Sequence, residues 1–168
     1  LTCDNGIAAY NEIVYAKERG LTVIVTDHHE VPFTKKADEK EEVLPPADAI
    51  VNPKQRNCSY PNKNLCGAAV AYKLILALYE RYGIPKAEGE EFIELAAIAT
   101  VGDVMDLQGE NRVLVKEGLK RLENTWNLGL RELIRANGLE DKKITAYHIG
   151  FVIGPCLNAS GRLDTAAR

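Results

Sequence analysis

Apolar side chains recur at Ile7, Tyr10, Ile13, Val14 and Ala16, the stripe of an amphipathic helix spanning Ile7 to Arg19, and Gly20 reads as its stop. The run Leu21-Thr22-Val23-Ile24-Val25 follows, a strand of the kind buried on both faces of a parallel sheet. Leu1-Thr2-Cys3 reads as an earlier strand end closed by the turn Asp4-Asn5-Gly6, and Ala49-Ile50-Val51 as a later strand closed by Asn52-Pro53. Strand, helix, strand, loop, strand predicts an α/β fold with a parallel sheet of at least three strands flanked by helices. Lys35 to Glu42, KKADEKEE, is a charge run without periodicity and reads as a mobile surface loop. Beyond Pro61 the period becomes helical, with helices predicted over Cys66–Tyr82, Glu90–Val101, Asn111–Leu122, Leu128–Ala136 and Ile144–Phe151. The second half is therefore expected to be mostly helical, without internal repeats.

Composition narrows the class. The 168 residues suit one ordinary domain, and 46% hydrophobic with 27% charged residues is a globular balance. No apolar run approaches the roughly 20 residues of a spanning helix, so no membrane segment is expected. The four cysteines, Cys3, Cys58, Cys66 and Cys156, form no CxxC pair, which argues against a zinc ribbon and for reduced thiols in a cytoplasmic protein. The first residue is Leu, inside an apolar stretch, and the chain ends on the helix-like LDTAAR; a segment of something longer is expected. Net charge is −3, unevenly placed: residues 1–110 carry 11 Lys+Arg against 18 Asp+Glu, and residues 111–168 carry 10 against 6. The basic half suits an anion, although ordinary solvated faces explain the same numbers.

The candidate chemistry lies in the acidic half. In parallel α/β sheets ligands bind beyond the carboxyl ends of the strands, and two acidic turns fall there: Asp4-Asn5-Gly6 and Asp27-His28-His29. A third acid, Asp103, ends the apolar helix in ATVGDVMDL, where Gly102 lets the backbone turn. Carboxylates and imidazoles converging in one crevice call for a cation, and mixed O/N ligands suit manganese or magnesium better than thiolate-seeking metals. Asp-Asn-Gly is also a common turn, Asp103 also fits a helix end, and the tandem histidines stay open between structural and ligand roles. His148, in an amphipathic helix, reads as structural. Near the C-terminus GPCLNASGRLDTAAR puts two glycines, Asn158, Ser160 and Arg162 within nine residues, read as a flexible donor-rich turn that suits a phosphate or simply precedes a helix.

The stretches TCDNGI, VIVTDHHEVP, ADAIVNP, LCGAAVAYKL, AAIATVGDVMDLQGENRVLVKEGL and GPCLNASGRL, taken in order across Leu1 to Arg168, resemble the DHH phosphoesterases, and within them most closely the RecJ family of bacterial single-strand-specific DNA exonucleases. The resemblance implies a DHH phosphoesterase-like fold and hydrolysis of single-stranded DNA from its 5′ end with Mn²⁺ or Mg²⁺, in recombination and repair. It also implies work alongside a single-strand-binding protein and a helicase. Carried over by position, it makes Asp4 the bridge between two metals and gives His28 and Asp103 to one of them. It places His29 at the reacting phosphate, leaves Asp27 to orient an imidazole, and puts Arg162 on phosphate, with Asn158, Ser160 and Gly161 in the same substrate-binding block.

Two departures qualify it. The family's first motif, a DxD cluster, precedes the first residue. The chain therefore reads as a DHH domain lacking its front, with residues 154–168 leading towards an absent DHH-associated domain, and is expected to be a weak or inactive nuclease alone. Cys156 also stands where the family pattern has Arg in GPRLNA. The alternatives are a DHH-type oligoribonuclease or small-nucleotide phosphatase, a manganese pyrophosphatase, whose SRKK-like block is not found here, and a non-catalytic nucleic-acid-binding homologue.

Overall fold

The computed structural model describes residues 1–36 and 39–163, with residues 36, 39, 40 and 160–163 described by backbone alone. It divides into two compact units, Leu1–Ala77 and Leu78–Arg168.

In the first unit, α1 (Tyr10–Glu18) precedes β1 (Ile24–Thr26), the hairpin strands β2 (Phe33–Lys36) and β3 (Glu39–Glu42), β4 (Ala49–Val51), and α2 (Gly67–Arg81), which runs on past the unit boundary. β1 and β4 pair in parallel, Ile24 opposite Ala49, Val25 opposite Ile50 and Thr26 opposite Val51. The parallel α/β architecture is the expected one, with two laddered strands instead of three. Leu1–Cys3 runs beside β1 without joining the ladder. Thr2 N–H donates to Ile24 O at 2.9 Å, but the next links are made by side chains: Thr26 Oγ1 donates to Thr2 O at 2.7 Å and Thr26 N–H to Thr2 Oγ1 at 3.3 Å. β1 also starts later than its apolar run, because Val23 N–H is taken by the Asp48 carboxylate at 2.7 Å. α1 starts three residues late, because the chain first makes a tight turn in which Ala9 N–H donates to Gly6 O at 3.1 Å and Ala9 is outside the helical region (φ −87°, ψ 52°). The run KKADEKEE, expected to be a loop, contributes most of an antiparallel hairpin pairing Phe33 with Glu42 and Lys36 with Glu39. The unit packs around Ile7, Ile13, Val25, Leu65, Ala69 and Val70, all buried.

The second unit is helical: α3 (Lys86–Glu90), α4 (Ile93–Gly102), α5 (Gly109–Leu122), α6 (Leu128–Ala136), the short α7 (Ala146–His148), a π-helical turn over Ile149–Ile153, and α8 (Gly154–Leu163). The predicted helix over Glu90–Val101 is α4, starting three residues later, and the short α3 before it was not predicted. α4 lies against α5 where Gly118 has no side chain; a Cβ there would stand 2.3 Å from Ala97 Cβ and 2.8 Å from Ile93 O. Leu122, Leu130, Ile134, Ile144, Ile149 and Ile153 form the core. The segment GPCLNASGRL, expected to be a flexible turn, is α8. α8 continues without a break from the π-helical turn, the kind of local widening that accommodates Pro155 and its missing N–H, and Gly154 is small because a Cβ would sit 2.8 Å from Ile149 O. His148 is structural as expected: its Nδ1 accepts from Thr145 N–H at 3.1 Å in a capping box. Among the described residues no helix is long and apolar enough to cross a membrane.

Candidate metal centre

β1 ends at Thr26, and the next three residues turn out of the sheet at its carboxyl end. Asp27 is almost wholly buried and works as an anchor. Its Oδ2 accepts from Ile7 N–H at 2.9 Å, and its Oδ1 accepts from His28 N–H at 2.7 Å, His29 N–H at 3.2 Å and His29 Nδ1 at 2.7 Å. Burial alone pushes this carboxyl up, but the hydrogen bonds from Ile7, His29 and His28 outweigh it and hold Asp27 below the usual carboxylate range. An ionised carboxylate only accepts, so the bonded ring nitrogen of His29 is the one that carries a proton, and the ring's other nitrogen, Nε2, is not engaged by Asp27. Asn52, also buried, holds the same turn from β4 by donating to His29 O at 3.0 Å.

Asp4 meets this turn from the opposite chain segment. It sits at φ 59°, a left-handed conformation that Asp tolerates better than most residues. His28 Nε2 lies 2.9 Å from Asp4 Oδ1. Asp4, His28 and His29 each bring one ligand atom within 4.8 Å of the others. A separation near 2.9 Å is the edge of an octahedron about 2.1 Å in radius, the size of a Mg²⁺-like shell. An imidazole and a carboxylate are mixed N/O donors that suit Mn²⁺, and the second imidazole lies within reach of the same place. A further feature shapes the cradle: a Cβ on Gly67 would stand 2.4 Å from Asp4 Oδ1. The Asp4 carboxylate therefore lies against the first turn of α2, where the helix dipole favours an anion. Gly67 has no role in the sequence reading; its only signal was a glycine opening a predicted helix.

The other predicted residues fall elsewhere. Asp103 is exposed in the second unit and caps the C-terminal end of α4. A carboxylate there opposes the helix dipole, so capping does not account for it. The turn that follows is made by Val104 at φ 55°, not by Gly102, which stays within α4. Asp4 and Val104 are the two non-glycine residues at positive φ among those described, each at or beside a predicted ligand. Asn158 is exposed on α8; Ser160, Gly161 and Arg162 belong to the same helix, with side chains outside the described residues.

The N-terminal domain profile of the DHH family matches residues 1–100. The chain is 44% identical over 166 residues to the single-stranded-DNA-specific exonuclease RecJ of Bacillus subtilis, covering 99% of this chain and 19% of that protein. It is 39% identical over 172 residues to RecJ of Haemophilus influenzae, covering 98% of this chain and 28% of the relative. These shares mean that the chain spans less than a third of the curated relatives it matches. Its fold is similar to exonuclease RecJ bound to manganese (TM-score 0.79, 39% identity, covering 98% of this chain and 38% of that one). It is also similar to RecJ in complex with Mn²⁺ from Thermus thermophilus (TM-score 0.76, 39% identity, covering 96% of this chain and 22% of that one).

Proposed function

We propose, from the premise that this chain belongs to the DHH family, that it is the metal-binding part of a phosphodiesterase acting 5′ to 3′ on single-stranded DNA in recombination and repair. One observation carries the reading: Asp4, His28 and His29 converge at the carboxyl end of β1, held there by Asp27. Asp4 and His28 would hold Mn²⁺ or Mg²⁺, and Asp103 is a candidate ligand on the family resemblance alone. An ion bound there neutralises phosphate charge and makes hydroxide available at neutral pH. His29, its Nδ1 proton fixed by Asp27, presents Nε2 to the phosphate and moves a proton there. Arg162, with Asn158, Ser160 and Gly161 on α8, meets the substrate phosphates. The single-stranded-DNA exonucleases to which the chain is similar support the substrate, and their Mn²⁺ and Mg²⁺ complexes support the ions. The reading places the protein in the cytoplasm, working beside a single-strand-binding protein and a helicase.

The test grafts this chain into the B. subtilis relative in place of the matching segment. The chimaera, offered single-stranded DNA, duplex DNA and short RNA with Mn²⁺, is expected to release mononucleotides from the 5′ end of the single strand alone. Preferred digestion of short RNA, or none of any substrate by a folded chimaera that binds Mn²⁺, overturns the reading.

A further inference from the structure

The second unit has a groove of about 390 Å³ between α5 and the segment leading into α7, lined by none of the residues of the metal cluster. Arg112, Lys116 and Lys120 line it from α5. They are spaced by four residues, so they form a row along one face of the helix, about 6 Å apart in rise. Lys143 faces them from the other wall. Arg112, Lys116 and Lys143 make no ion pair among the described residues, whereas Lys120 is held by Glu117 at 2.9 Å. Glu123 is the one acid in the lining. The floor is apolar, made by Val115, Leu119 and Ile144.

The groove's lining ends at Ala146, and the next residue begins an exposed aromatic pair. Tyr147 and Phe151 are 65% and 72% exposed, their rings stacked with centroids 5.0 Å apart at 29°. Phe151 sits in the π-helical turn, whose Ile149 and Ile153 are wholly buried, so the turn is anchored while the ring stands in solvent. Two large aromatic faces in water are costly unless something covers them. A row of cations beside stacked aromatic rings is the combination that holds unpaired nucleic acid strands, phosphates on the cations and bases on the rings. An acidic peptide would satisfy the cations and the apolar floor but leaves the stacked ring faces without a purpose.

We propose that the α5 groove and the Tyr147–Phe151 pair form a track for a single-stranded nucleic acid, built from residues that take no part in the metal cluster. It rests on the single-strand reading above for its ligand and deepens it by locating a surface that grips the strand without cleaving it. The track needs no metal. Its binding falls with salt, because each phosphate contact releases counter-ions.

The experiment measures fluorescence anisotropy of labelled oligothymidylate with the full chain, in EDTA, across a range of salt. Lys116→Gln/Lys143→Gln should weaken binding roughly tenfold and lower the salt slope by about 1.4, at about 0.7 per phosphate contact. Tyr147→Ala/Phe151→Ala should weaken it at least about fivefold with the slope unchanged. All four side chains are exposed, and circular dichroism melts verify that both variants fold. Mn²⁺ calorimetry on the same variants should match the parent chain. The proposal is overturned if the parent chain binds no oligothymidylate, if both variants bind it unchanged, or if the lysine variant loses an acidic phenylalanine-containing peptide while keeping the oligonucleotide. Failure of the nuclease reading shows separately, as an Asp4→Asn/His28→Ala chain that keeps full Mn²⁺ affinity.

Discussion

Replacing Gly67 with Ala should disable metal binding at little cost to the fold. The added Cβ would stand 2.4 Å from Asp4 Oδ1, 2.5 Å from Asp4 Cβ and 2.6 Å from Asp4 Cγ. Nonbonded heavy atoms settle at about 3.5–4.0 Å, so Asp4 must retreat by roughly 1 Å. A side-chain rotation alone does not relieve the contact, since Asp4 Cβ is among the close atoms, and the left-handed turn at residue 4 must shift. The Asp4 side chain is about half exposed, so that shift disturbs little packing. Overpacking of this kind costs about 1–3 kcal/mol, and the gain of Ala over Gly at a helical position returns up to about 1 kcal/mol. The net loss is about 0–3 kcal/mol. The ligand set has no such margin: moving Asp4 by 1 Å breaks its 2.9 Å spacing from His28 and should lower Mn²⁺ affinity at least tenfold. Calorimetric Mn²⁺ titration and a thermal melt read the two effects apart. In an Asp4→Gly background the same substitution should cost no stability, because the close atoms are gone. Wild-type Mn²⁺ affinity in Gly67→Ala would refute the reasoning.

Gly118→Ala meets Ala97 Cβ and the Ile93 carbonyl, neither of which can swing aside, so it should destabilise the second unit by about 1–3 kcal/mol by denaturant melts, with Mn²⁺ affinity unchanged. Glu94, fully buried, accepts from Thr125 Oγ1 at 2.7 Å; burial pushes its carboxyl up, more than the Thr125 hydrogen bond and the Arg121 charge pull it down. Its stabilising contribution is thus fully present below the unfolded value near 4.3 and is lost as pH rises through the raised folded value. Glu94→Gln should therefore gain in melting temperature relative to the parent as pH rises from about 4 to 7, and a constant difference across that window refutes it. His28→Ala should weaken Mn²⁺ binding at least tenfold, whereas His29→Ala in the chimaera should lower turnover by about 10²–10⁴ with little change in metal affinity. Equal loss of affinity in the two would make both histidines ligands.

Elements whose one face is buried were legible in the sequence. β4 and α6 fall on the predicted residues: the Leu130/Ile134 stripe of α6 reads directly onto a core, whereas Ala49–Val51 was legible from its β-branched apolar run and the Asn52-Pro53 stop, although only Ile50 of the three is even half-buried. The β2–β3 hairpin was illegible because FTKK and EKEE carry almost no apolar residue and so no period of two. α8 was missed because Gly154, Pro155 and Asn158 individually signal turns, while what carries the helix past them is the π-helical turn Ile149–Ile153 running directly into it, a local departure from the 3.6 period that no residue pattern announces. At the candidate site Asp4, His28 and His29 were legible as chemistry at strand ends. What Asp27 does was not, since its acceptors' partners include a main-chain N–H twenty residues away. Gly67 was invisible for the same reason.

The spacing of these links bears on how the site comes to exist. Ile7 to Asp27, Thr2 to Thr26 and Val23 to Asp48 close over 20, 24 and 25 residues. Loop-closure cost grows only logarithmically with length, so these three segments cost nearly the same to join, and none has a head start. Each link ends in or directly beside β1, at Val23, Thr26 or Asp27, and the apolar residues that drive collapse, Ile7 and Val25, lie within the same loops. The segment that docks to build the core is therefore the segment that delivers the ligands. The first unit should reach its native order without an ion, and chelation should lower its melting temperature by mass action without unfolding it, unlike a zinc finger. The protein can then be synthesised and stored metal-free and armed later by whatever Mn²⁺ or Mg²⁺ the cell supplies.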